Sequence, residues 1–305
     1  MSAYRAPWWL PGGHLQTVVA ALAPAPRISW RRERWETPDG DFIELDWADG
    51  TGPLLALFHG LEGGSSSHYA RSIAARALAR GWRCVVPHFR GCSGELNRRP
   101  RAYHSGDTEE LDWILRRLRP DFAAGVSLGG NVLLKWLGER GADARPLLRR
   151  AAAVSAPLDL AAAGRALDRG VNQRLYTRVF LASLKAKVSA KIRLRHVALD
   201  EHRLSRVRTL REFDDLFTAP LHGFRDADDY WKRASSAPWL EHIRVPTLVL
   251  NARNDPFLPR TALESAARKA SSDVVLEFPA TGGHAGFPGR GQWLARRVLD
   301  FLSPP

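Results

Sequence analysis

Gly125-Val126-Ser127-Leu128-Gly129-Gly130 decides the reading of this 305-residue chain. An apolar run over residues 121–126 leads into it and a segment of helical composition, residues 128–139, follows, so the serine stands on a strand-to-helix turn. A serine hydroxyl is a weak nucleophile at neutral pH. A sharp turn at a strand end lifts it to where a base can reach it, and the N-terminus of the next helix favours negative charge nearby. Gly125 and Gly129 keep the turn clear of side chains. A Gly-rich turn whose serine only caps the next helix has the same composition. The nucleophile reading is favoured because further parts of the machinery follow in the required order.

Short apolar runs recur at residues 54–59, 83–87, 149–155, 245–251 and 273–279. Uninterrupted runs of this length suit strands buried on both faces. The segments 69–80, 108–118, 261–270 and 292–302 have helical composition. Upstream, residues 28–37 and 41–47 carry β-type side chains around Pro38-Asp39-Gly40, which predicts an antiparallel hairpin. The alternation predicts an α/β fold built on a doubly wound, mostly parallel, eight-stranded sheet. Between Pro157 and Pro238 the strand signals stop. Apolar residues at Val171, Leu175, Val179, Leu184, Val188 and Ile192 recur there near helical spacing with Arg and Lys between them. The expected organisation is a core of residues 1–156 and 241–305 with a helical cap inserted at 157–240.

A serine on such a turn needs an acid and then a histidine, each on a loop after a late strand, so that they meet at the carboxyl edge of the sheet. Asp255 follows the run Thr247-Leu248-Val249-Leu250, and His284 follows Val274-Val275-Leu276-Glu277-Phe278. His284 would take the proton from Ser127 as an acyl carbon is attacked and return it to the leaving alcohol, while Asp255 would hold the imidazole tautomer. Taken singly, Asp255 reads as an Asp-Pro turn and His284 as a loop histidine. Asp159 is the fallback acid. Two backbone donors are required for the oxyanion. The amide of Leu128 follows the nucleophile directly, and the amide of Leu61 is assigned from the loop His59-Gly60-Leu61-Glu62-Gly63-Gly64. His59 and Glu62 read as loop-shaping residues. A second loop, His88-Phe89-Arg90-Gly91-Cys92-Ser93-Gly94-Glu95, has neither phosphate-binding glycine spacing, and Cys92 is a weaker nucleophile candidate than Ser127.

Composition narrows the remaining classes. Cys84 and Cys92 are the two cysteines, with no C-x-x-C or Cys/His ligand spacing, so neither a disulfide framework nor a structural metal is expected. The chemistry above calls for no organic cofactor either. The stretch 18–26 is short and broken by prolines, and no apolar run approaches the ~20 residues that span a bilayer, so a cytoplasmic protein is expected. The formal net charge is +13, of which residues 169–211 supply twelve Arg and Lys against Asp200 and Glu201. The excess is local and lacks aromatic interleaving or a known module, which argues against a nucleic-acid partner. A basic amphipathic helix near residues 171–192 is compatible with contact to an anionic membrane or simply with a solvated face.

Taken with Pro7-Trp8-Trp9-Leu10-Pro11-Gly12-Gly13-His14-Leu15-Gln16-Thr17, Arg90-Gly91 and Gly282-Gly283-His284-Ala285-Gly286-Phe287, these segments resemble the YheT-like branch of the α/β-hydrolase superfamily. That branch includes the ABHD1/ABHD3-type lipid hydrolases and the yeast medium-chain ester synthases. The resemblance implies an α/β-hydrolase fold with a cap. It also implies a Ser127, Asp255 and His284 triad acting on small-molecule ester or lipid substrates with short or medium acyl chains. Passing the acyl group to an alcohol would make the same machinery an acyltransferase. A non-catalytic binding scaffold would lack a triad member, and this chain lacks none.

Overall fold

The computed structural model describes residues 4–289 and 291–303. Eight strands form one sheet: β1 (Arg31–Glu36), β2 (Phe42–Ala48), β3 (Leu54–Phe58), β4 (Arg83–Pro87), β5 (Phe122–Val126), β6 (Arg150–Val154), β7 (Thr247–Leu250) and β8 (Val274–Glu277), in the order β1-β2-β4-β3-β5-β6-β7-β8. The pairs β1·β2 and β2·β4 are antiparallel and all others parallel. The hairpin has Glu36 opposite Phe42, with Pro38-Asp39-Gly40 in its turn. At the outer edge, Arg31, Arg32 and Arg34 line β1, and charge of this kind discourages edge-to-edge pairing with another chain.

The apolar runs become strands because both faces of the sheet are covered. Along β3, Leu54, Ala56 and Phe58 pack into one core with Leu111, Ile114 and Leu133, while Leu55 and Leu57 face the other with Ile73 and Val298. That alternation follows from the period of two along a strand. The first layer holds α3 (Thr108–Leu118) and α4 (Leu128–Arg140), and the second holds α2 (His68–Leu78) and a C-terminal helix, Trp293–Leu302. Gly125 and Gly129 allow α4 to press onto the strand ends. A Cβ on Gly125 would stand 2.4 Å from the Gly129 carbonyl oxygen, and one on Gly129 would stand 2.5 Å from that of Phe58.

Between β6 and β7 the described chain is helical, with α5 (Leu160–Leu167), α6 (Arg178–Arg193) and α7 (Ala227–Ala234) as its longest pieces. The expected apolar stripe divides in two. Val171, Leu175 and Val179 face solvent, whereas Leu181 and Val188 are buried with Leu184 and Ile192 packed beside them. A five-residue π turn, Gln173–Thr177, runs into α6, and its wider turn shifts the helical phase that a constant spacing assumes. A further helix, α1 (Gly13–Leu22), lies in a stretch for which no element was expected. Among the described residues no helix is long and apolar enough to cross a membrane.

Candidate active site

Ser127 stands between β5 and α4 with φ +53° and ψ −119°, a sparsely populated backbone conformation that costs a non-glycine residue roughly 1–3 kcal/mol. Surrounding bonds hold it there: its amide donates to the Val154 carbonyl at 2.8 Å, and the Gly129 amide to that of His59 at 3.1 Å. His284 Nε2 lies 2.9 Å from Ser127 Oγ, and His284 Nδ1 lies 2.8 Å from Asp255 Oδ2. With the ring proton on Nδ1 facing the carboxylate, Nε2 keeps the lone pair to which the serine hydroxyl donates. The other oxygen of Asp255 accepts the Phe257 amide at 2.8 Å, which fixes the carboxylate plane. The Phe257 ring lies 4.1 Å from the imidazole, centre to centre, and shields it from water.

Donors for an oxyanion are available beside the serine. The Gly60 amide donates to the Tyr69 hydroxyl at 2.8 Å and the Glu62 amide to the Tyr103 hydroxyl at 3.0 Å. The Leu61 amide between them has no acceptor among the described residues, and neither does that of Leu128 at the start of α4. Glu62, itself at φ +55°, is held from three sides. Its carboxylate accepts from the Tyr103 hydroxyl at 2.7 Å and from Lys187 Nζ at 2.8 Å, and it pairs with Ser183. Ser183 and Lys187 are one helical turn apart on α6, so that helix is bolted to the glycine-rich loop.

Other groups singled out in the sequence serve the scaffold. Buried His59 accepts the Phe89 amide at 3.0 Å, and burial pulls its pKa down to about 3, so it stays neutral. His88 pairs with Asp46 at 2.8 Å. Arg90 is buried against Asp41 at 2.9 Å, Asp39 at 2.7 Å and Glu110, and so offers nothing to a phosphate. Burial pushes the Cys92 thiol up to about 11, which removes the thiolate it would need as a nucleophile. Asp159 caps α5 by accepting the Ala162 amide at 2.9 Å, far from an acid's duty.

Sequence reasoning missed the part played by α1. Buried Gln16 accepts through Oε1 from the Gly282 amide at 2.8 Å and from Asn254 Nδ2 at 2.9 Å. Thr17 Oγ1 accepts the His284 amide at 2.8 Å, and Asn254 Oδ1 accepts the Gly283 amide at 3.0 Å. The Gly-His-Leu-Gln-Thr stretch thus ties the loop carrying Asp255 to the loop carrying His284. Gly13 sits where a Cβ would be 1.9 Å from the Asn254 carbonyl oxygen. Only the unusual run of small and polar residues hinted at this role.

A cavity of about 150 Å³ opens beside Ser127 and His284. Its walls include Leu160, Leu167, Phe180, Leu184, Phe213 and Phe217, all of them from the helical stretch between β6 and β7. At one side the carboxyl of Asp214 accepts from Trp231 Nε1 at 2.8 Å, and burial raises its pKa to about 7.

This sheet, elbow and constellation define an α/β hydrolase. The family model described as the alpha/beta hydrolase fold matches residues 53–289, and the chain belongs to that family. Within it the chain falls in the YheT-like branch. It is 39% identical to YheT of Escherichia coli (strain K12), over 95% of this chain and 90% of that protein. It is 31% identical to the human phospholipase ABHD3, over 96% of this chain and 77% of that protein. Among solved structures, the Pyrococcus furiosus esterase Pf2001 shares the fold with a TM-score of 0.59 at 16% identity, covering 90% of each chain.

Proposed function

We propose that Ser127, His284 and Asp255 form the catalytic triad of an esterase that works through an acyl-enzyme. The enzyme is a carboxylic ester hydrolase. The 2.9 Å approach of His284 Nε2 to Ser127 Oγ carries the triad assignment. As the serine oxygen attacks the acyl carbon, its proton passes to Nε2 and negative charge gathers on the former carbonyl oxygen. The Leu61 and Leu128 amides receive that charge, and each such donor is typically worth ~3 kcal/mol of barrier. Collapse breaks the bond to the alcohol, which leaves with the proton from His284. Water then repeats the sequence and frees the acid. We take residues 157–240 as the cap that walls the acyl site, and the cytoplasm as the place of action.

Short to medium acyl chains suit the cavity. Its volume of about 150 Å³ is below the ~300–1,000 Å³ of sites for drug-sized ligands, and its walls are mostly apolar. Each methylene buried there is worth ~0.8 kcal/mol, or about a fourfold gain in kcat/KM. With p-nitrophenyl esters from acetyl to dodecanoyl, kcat/KM is expected to climb by about that factor per methylene, pass a maximum at short-to-medium length, and fall once the cavity is full. A monotonic rise to dodecanoyl would show that this cavity does not hold the acyl chain. Added ethanol in the same assay separates hydrolysis from transfer, because transfer yields an ethyl ester and hydrolysis yields only the acid.

A further inference from the structure

The outer face of the turn and helix over residues 170–193 is unusual for a surface. Val171, Leu175 and Val179 project outward with the exposed Arg174 and Arg178 between them. Val179 is 65% exposed. Residues 169–199 contain eight Arg and Lys and no Asp or Glu. A solvated helix face would normally mix charges of both signs and few large apolar groups. The N-terminal segment repeats the pattern. Trp8 is 92% and Trp9 59% exposed, and α1 turns Leu15 and Leu22, two helical turns apart, to the outside. Residues 1–32 hold no Asp or Glu, and Arg5 is exposed.

One contact joins the two segments. The His14 ring stacks on Tyr176 with centres 5.8 Å apart and planes 9° from parallel, and His14 Nδ1 lies 3.2 Å from the Tyr176 hydroxyl. Tyr176 belongs to the same turn as Leu175. Beneath it the ring of Phe257 lies 4.6 Å away, and Phe257 in turn covers His284 at 4.1 Å. The turn that carries Leu175 therefore sits two aromatic layers above the imidazole.

We infer that this surface docks on an anionic lipid bilayer. Tryptophan prefers the level of the headgroups, aliphatic side chains enter the acyl boundary, and arginines meet lipid phosphates. Acid-free segments favour that partner because no carboxylate has to be desolvated or repelled. Docked in this way, the molecule holds its catalytic edge toward the layer from which an acyl chain would come. The last point rests on the esterase reading; the docking does not.

Sedimentation of the full chain with vesicles tests the inference. One set is pure phosphatidylcholine and the other is equal parts phosphatidylcholine and phosphatidylglycerol. Binding is expected to the anionic vesicles, weakened by added salt, with little to the neutral ones. Removing two arginines near the surface weakens binding by about 30-fold, at about fivefold each. Arg174→Gln with Arg178→Gln is therefore expected to lose about that factor, and Trp8→Ser with Trp9→Ser to lose binding at all salt levels. Far-UV circular dichroism shows whether each variant is folded. Hydrolysis of soluble p-nitrophenyl acetate should match the parent in both. Equal binding to both vesicle types would overturn the inference. So would unchanged binding by both variants, or a dimer of the parent that the tryptophan variant disperses, since a second copy would then own the face. Parent binding to anionic vesicles that the variants lose, in a protein that hydrolyses no ester, would leave docking standing and sink only the esterase reading.

Discussion

Ser127→Ala is expected to lower kcat for a p-nitrophenyl ester by about 10⁶-fold, the scale seen when a triad nucleophile is removed. A residual acceleration of roughly 10³–10⁴ over water is expected from binding and oxyanion donors alone. Folding should survive. Alanine keeps the Cβ that the elbow already accommodates, and the side-chain hydrogen bond it gives up is the one to His284 at 2.9 Å. Removing a single partly exposed hydroxyl of this kind shifts stability by about 1 kcal/mol or less. Steady-state kinetics beside a thermal melt separates the two effects: activity gone and melting unchanged is the expected pair. Substantial turnover by the variant would mean that another group carries the chemistry.

Asp255→Asn is expected to cost about 10⁴ in kcat with little change in KM. Asparagine preserves the shape of the site, and its oxygen can still accept the Phe257 amide now held at 2.8 Å. What it removes is the acceptor for the Nδ1 proton, 2.8 Å from Oδ2. An amide NH₂ in that place favours the opposite tautomer, with the proton on Nε2, where it blocks the transfer from serine. Substrate binding does not depend on that proton, so the loss falls on kcat. A variant with near-parental kcat would move the acid elsewhere. Asp159 is not available, because its carboxylate is committed to the N-terminus of α5.

How far the sequence could be read depended on how local the determining physics is. The strands were legible because each is a short apolar run covered on both sides, and the elbow because strand, serine and glycines are contiguous. That Asp255 and His284 would meet Ser127 was legible from their positions after late strands. The outward phase of Val171, Leu175 and Val179 was not. A π turn at Gln173–Thr177 slips the register, and no residue type announces such a turn. Helix α1 was missed because it opens on a glycine and its flanks hold prolines. The work of Gln16 and Thr17 was out of reach for another reason: their partners at 282 and 284 are more than 260 positions away in the chain. Polar pairings over such separations leave no local pattern.

One hydroxyl, Ser127, made reactive by the imidazole beside it, is expected to accept the acyl group. The most direct test is to treat the protein with a stoichiometric fluorophosphonate and map the adduct by peptide mass spectrometry. The predicted result is a single adduct on Ser127, greatly slowed in His284→Ala. An adduct on Cys92 or another serine, or labelling that ignores the loss of His284, would contradict it.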